Sequence, residues 1–126
     1  MRDNDLIPVI RIETRSHNMT FEADTMELIG RPRHLEFLWD DDEKMLCVVI
    51  VPKHTRYSTR LPETRKKDSL HPTKVQESHI VKALANKLGW EKGRCYEITG
   101  TYDAGKRAVY FPLSQAEDIG GWEYAF

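Results

Sequence analysis

An order of elements that occurs twice constrains this chain more than any other feature. Residues 26 to 52 read "MELIGRPRHLEFLWDDDEKMLCVVIVP" and residues 86 to 112 read "NKLGWEKGRCYEITGTYDAGKRAVYFP". Both run helix-like residues into a glycine, then a short polar link, an alternating strand, a charged turn and a second strand. Aligning Gly30 with Gly89 brings Glu36 near Glu97 and Lys44 near Lys106, with gaps of one or two residues. Identity between the stretches is low; the agreement is one of pattern. Each half alone is too small to bury its own strands. A chain of 126 residues is long enough for two halves to share one core. The reading is therefore a single domain over 1–126. It has a first repeat over 8–52, a connector over 53–72, a second repeat over 73–113 and an aromatic tail over 114–126.

Local signals fill in the elements. "PVIRIETR" alternates Ile10, Ile12 and Thr14 against Val9, Arg11 and Glu13, as a strand does. "MTF" reads as a short extended piece. A short helix is expected over about 22–29, started by Thr20 or Glu22 and stopped by Gly30, with Pro32 preventing continuation. "HLEFLW" puts Leu35, Phe37 and Trp39 on one face. "MLCVVIV" is nearly all apolar and reads as a central strand buried on both faces. In the second half "TKVQE" is extended and Ser78 is the expected N-cap of "HIVKALANKL". Gly89 ends that helix. "RCYEITGTY" and "RAVYFPL" then read as strands joined at "DAGK".

Charge is distributed unevenly. The net charge is −1, which by itself selects no partner. Residues 1–52 carry 6 basic and 11 acidic side chains, and residues 53–74 carry 7 basic and 2 acidic. Residues 75–126 carry 6 and 7. A basic connector thus lies between acidic or neutral halves. No apolar run approaches the 18 or so residues of a membrane span, and "MRDNDLIPVIRIE" shows no secretory signal. Cys47 and Cys95 form no CxxC motif, so both are expected to be reduced and buried, in a cytoplasmic setting.

The connector is the main candidate site. Arg56, Arg60, Arg65, Lys66 and Lys67 are interleaved with Tyr57, Ser58, Thr59 and Thr64. Guanidinium, ammonium and hydroxyl groups in such a mixture suit phosphate contacts. The alternative is a loop kept solvated by its charge. "WDDDEK" gathers four carboxylates, Asp40 to Glu43, without the spacing or glycine of a calcium loop, and reads as a polar turn. The five histidines make no HxH or HxxxH pair, so no metal ligand is assigned. No GxSxG, P-loop or GxGxxG motif is present, and no catalytic residue or cofactor is expected. Trp122, Tyr124 and Phe126 alternate along the tail, ready either to dock on the body or to cover a protein partner.

"MELIGRPRHLEFLWDDDEKMLCVVIVPK" and "KALANKLGWEKGRCYEITGTYDAGKRAVYFPL" resemble the AbrB-like swapped-hairpin domain. Two copies in one chain are similar to the MraZ-like arrangement. The resemblance covers about 95 residues, leaving out the connector and the tail. It implies an α+β fold in which two β-α-β-β repeats form one pseudo-twofold swapped-hairpin barrel. The same element order would also serve a TATA-box-binding-protein-like sheet with two helices on one side. The family's role implies a small bacterial-type DNA-binding transcription regulator, monomeric or homodimeric and without membrane attachment. By that carry-over Arg11, Arg15 and Lys74 join the connector's cations as the nucleic-acid-facing set. In place of the family's Ile-Pro before the helix stand "MTFEAD" and "VQESHI", and Glu22, Asp24 and Glu27 make the first helix acidic. The competing reading is a protein-interaction module or antitoxin-like partner that uses the aromatic tail and binds no nucleic acid.

Overall fold

The computed structural model describes residues 7–62 and 71–121. Its strands fall into two open antiparallel sheets of five. The first holds β1 (Val9–Glu13), β2 (Asn18–Phe21), β6 (Thr73–Gln76), β7 (Cys95–Thr99) and β10 (Glu117–Gly120), in the order β10-β7-β1-β2-β6. The second holds β3 (His34–Asp40), β4 (Met45–Val51), β5 (Thr59–Arg60), β8 (Thr101–Asp103) and β9 (Ala108–Pro112), in the order β5-β3-β4-β9-β8. Helix α1 (Ala23–Leu28) links β2 to β3, and α2 (Ser78–Leu88) links β6 to β7. This is an α+β architecture. Its two sheets replace the single sheet of the TATA-box-binding-protein-like alternative, because the chain passes from the first sheet to the second after α1 and again between β7 and β8.

Alternation decides which faces meet. Ile10, Ile12, Met19 and Phe21 of the first sheet join Leu35, Leu46, Val48, Ile50, Val109 and Phe111 of the second in one buried cluster. Met26 of α1 and Val81 and Leu84 of α2 pack into the same cluster. Phe21 and Phe37 meet across the cluster with ring centroids 6.5 Å apart. Burying a side chain of this size is worth roughly 1.5–3 kcal/mol, so this cluster dominates the stability. Both helices end as the glycines require: Gly30 (φ 83°) and Gly89 (φ 66°) take left-handed conformations that a Cβ would strain.

Several expectations need correction. "RCYEITGTY" is not one strand: it breaks at Gly100, β7 lying in the first sheet and β8 in the second. "MLCVVIV" is central, but only Leu46, Val48 and Ile50 are fully buried while the residues between them are half-exposed. Helix α2 begins at Ser78 itself, with Glu77 as N-cap and no side-chain capping bond. Neither Thr20 nor Glu22 caps α1 through its side chain; Thr20 is buried within β2. Instead Thr25 ties α1 to β1, its Oγ1 accepting from the Val9 amide (2.8 Å) and donating to the Val9 carbonyl (3.2 Å). The connector contributes β5, and residues 117–120 of the tail form an edge strand, β10, paired with β7.

Candidate nucleic-acid interface

The first part of the connector is fixed by its own sequence. After β4, the Thr55 amide donates to Ser58 Oγ (2.9 Å), and Ser58 Oγ donates back to the Thr55 carbonyl (3.1 Å). Hydroxyl residues three apart form tight turns of this kind. Thr55 Oγ1 also donates to the Glu36 carboxylate, anchoring the turn on β3. Thr59 and Arg60 then pair with Leu35 and His34 as β5. Leu61 is buried and its amide donates to the Arg33 carbonyl (2.8 Å). One apolar side chain in a polar run thereby pins the segment to the body.

That pinning brings Arg56 and Arg60 of the connector to the second half of the chain. β5 is the edge of one sheet and β6 the edge of the other. Thr59 Oγ1 bridges them, donating to Glu77 Oε2 (3.0 Å). Between the edges lies a polar groove of about 540 Å³, lined among others by Arg56, Tyr57, Arg60, Lys74, Gln76 and Glu77. All three cations are exposed. Tyr57 is 75% exposed, with the Arg56 guanidinium 5.6 Å from its ring centroid. Among the described residues the only carboxylate lining the groove, Glu77, already accepts the Thr59 hydrogen bond.

The other candidate residues sit elsewhere. Arg11 lies on β1 between two carboxylates, its Nη2 3.0 Å from Glu22 and its Nε 3.2 Å from Glu97. Its charge is matched locally, which sets it apart from the groove cations. Arg15 is exposed in the β1–β2 turn. That turn abuts the end of β6: Gln76 Nε2 donates to the Ser16 carbonyl (3.3 Å) and the Glu77 amide to the His17 carbonyl (3.0 Å). Arg65, Lys66 and Lys67, and the aromatic residues Trp122, Tyr124 and Phe126, lie outside the described residues.

The acidic turn after β3 is occupied by its own hydrogen bonds. Asp40 Oδ1 accepts from the amides of Asp42 (3.0 Å) and Glu43 (3.2 Å). Asp41 accepts from the Trp39 indole (3.1 Å) and stands near Lys44 and Lys87. The indole bond first, and the two ammonium groups next, hold its carboxyl below the usual carboxylate range. Among the described residues no group of three His, Cys, Asp or Glu is placed to hold a metal ion. The fold does bring His34 and His54 together, with rings edge-on at 6.0 Å, a pairing that sequence spacing does not reveal. A second, mainly apolar cavity of about 370 Å³ lies where the β1–β2 turn meets α2, with Trp90 in its wall. Trp90 stacks on Tyr96 at 4.3 Å.

No helix among the described residues is long and apolar enough to cross a membrane. Comparison of the chain with protein-family models, with curated proteins and with solved structures gives no match.

Proposed function

We propose that this chain is a small, non-enzymatic nucleic-acid-binding protein, a DNA-binding regulator of the AbrB-like type, and that it contacts DNA through the β5–β6 groove. The observation that carries the reading is the convergence of Arg56, Arg60 and Lys74, from two different sheet edges, on one groove with a single carboxylate among the described residues. Three exposed cations beside hydroxyl and amide side chains are the equipment for holding phosphates. Each phosphate neutralised releases condensed counterions, which favours binding at low salt. The swapped-hairpin part of the reading draws support from the strand order. Each sheet takes strands from both halves, with β1 beside β7 and β4 beside β9. Two interleaved β-α-β-β halves would produce that mixing. A cytoplasmic setting fits the two free cysteines. Burial pushes the Cys95 thiol up to about 11, with the neighbouring Glu13 adding to the shift, so it stays protonated and inert at neutral pH.

The test is fluorescence anisotropy of a labelled mixed-sequence DNA duplex titrated with the protein at low and near-physiological salt. Binding that weakens steeply as salt rises is the expected result. Absence of binding at low salt, to the duplex and to its separated strands alike, would remove the reading and favour a protein-interaction role.

A further inference from the structure

We infer that the groove between β5 and β6 takes an unpaired DNA strand, with Tyr57 as the platform on which a base stacks. The inference rests on the nucleic-acid reading above and adds the form of the nucleic acid.

Tyr57 sits at the tip of a turn whose backbone is locked by the reciprocal Thr55–Ser58 hydrogen bonds. Its ring is 75% exposed, the most exposed of the large apolar side chains described. A ring so placed contributes little to the core, yet it is held where it flanks the groove. Arg56, 5.6 Å from the ring centroid, is near the outer limit of a cation–π contact. The guanidinium can therefore engage a phosphate while staying close to a stacked base.

An exposed aromatic beside a cationic groove is the combination that binds single strands. Cations track the backbone, and the ring offers its face to any base because every base has a π-face. A duplex hides those faces within its own stack, so it presents only phosphates to the groove and leaves Tyr57 unused unless the ring intercalates. The groove's about 540 Å³ lies within the roughly 300–1,000 Å³ range of sites that enclose a small molecule, ample for a base with its sugar. Its walls are also sheet edges. Among the described residues β5 pairs only with β3, and β6 only with β2. Their outward backbone donors and acceptors therefore face the groove side without a neighbouring described strand. Gln76 and Glu77 add side-chain groups able to meet base edges.

The experiment compares three labelled DNAs of one sequence: a single strand, its duplex, and the single strand with abasic sites. Wild type, Tyr57→Phe and Tyr57→Ala proteins are titrated against each by anisotropy. The geometry requires the single strand to bind more tightly than the duplex. Tyr57→Ala should weaken single-strand binding by about 5- to 150-fold, the worth of stacking one base, and should leave the duplex within about two-fold. Tyr57→Phe should retain the affinity, because the ring and not the hydroxyl stacks. Abasic sites should bring wild type down to the level of Tyr57→Ala. Thermal melts should coincide for the three proteins, since Tyr57 lies outside the core. Duplex binding as tight as single-strand binding, or an equal loss on both DNAs in Tyr57→Ala, would overturn the inference and leave the nucleic-acid reading standing. Failure of every DNA to bind would end both.

Discussion

β3 and the segment β7–β8 hold the same place in the two halves, each following a helix and a glycine, yet they run differently. β3 keeps all seven of its residues in one sheet and forms a regular hairpin with β4. β7 begins beside β1 in the first sheet, and the chain crosses at Gly100 into β8 of the second. Three residues past Glu36 stands Trp39; three past Glu97 stands Gly100. A Cβ on Gly100 would lie 2.6 Å from the Tyr110 carbonyl oxygen and 2.7 Å from the Phe111 ring. The Gly100 amide meanwhile donates to the Pro8 carbonyl (2.8 Å). Only a residue without a side chain lets the strand pass this close to β9 while changing sheets. The comparison teaches that one glycine converts a hairpin strand into a bridge. That bridge carries the second half onto both of the first half's sheets.

The sharpest way to break the comparison is Gly100→Ala. The added methyl meets backbone and a fully buried ring, neither of which can swing away, so a loss of about 3 kcal/mol is expected in urea unfolding, the upper end of overpacking costs. Gly105→Ala is the control. Its Cβ would approach only the Asp103 carboxylate, at 3.4 Å, and the change should be nearly neutral. Equal effects at the two positions would refute the bridging role.

A smaller effect separates the two cysteines. Cys47 is half-exposed on β4, and Cys95 is buried on β7. Burial raises both thiols, Cys95 to about 11. In the unfolded chain the thiol ionises near 9, whereas in the folded chain it remains protonated to about 11. Its contribution to stability is therefore intact below pH 9 and is lost as pH rises through 11. Wild type should lose on the order of 2 kcal/mol more than Cys95→Ala across that window, read by urea melts at pH 8.5 and 11. Parallel losses in the two proteins would show that the thiol is not the source. At pH 8, iodoacetamide should modify Cys47 well before Cys95.

Much of the fold was legible because burial follows local period. Ile10 and Ile12, Leu35 and Phe37, and the glycines after both helices were readable from alternation and turn chemistry. The sheet change at Gly100 was not, because Tyr96, Ile98, Gly100 and Tyr102 keep one alternation through the break. Short polar edge strands such as β5 and β10 carry no periodic signal. The site divides the same way. Arg56 and Arg60 were visible as a charge cluster. Their meeting with Lys74 depends on β6 pairing with β2, a long-range contact. The neutralisation of Arg11 likewise depends on Glu97, 86 residues away. The buried Leu61 was a readable hint, one of only two leucines in a polar connector.

The groove and β1 thus offer two kinds of arginine, one set open to solvent and one ion-paired, and they should behave differently toward DNA. The measurement that tests this most directly is the salt dependence of DNA affinity for wild type, the triple variant Arg56→Ala, Arg60→Ala, Lys74→Ala, and Arg11→Ala. Loss of three phosphate contacts should reduce the slope of log affinity against log salt by about 2.7 for a duplex. Arg11→Ala should leave the slope unchanged. A triple variant with the wild-type slope, or a fall in slope produced by Arg11→Ala alone, would contradict the assignment of the groove.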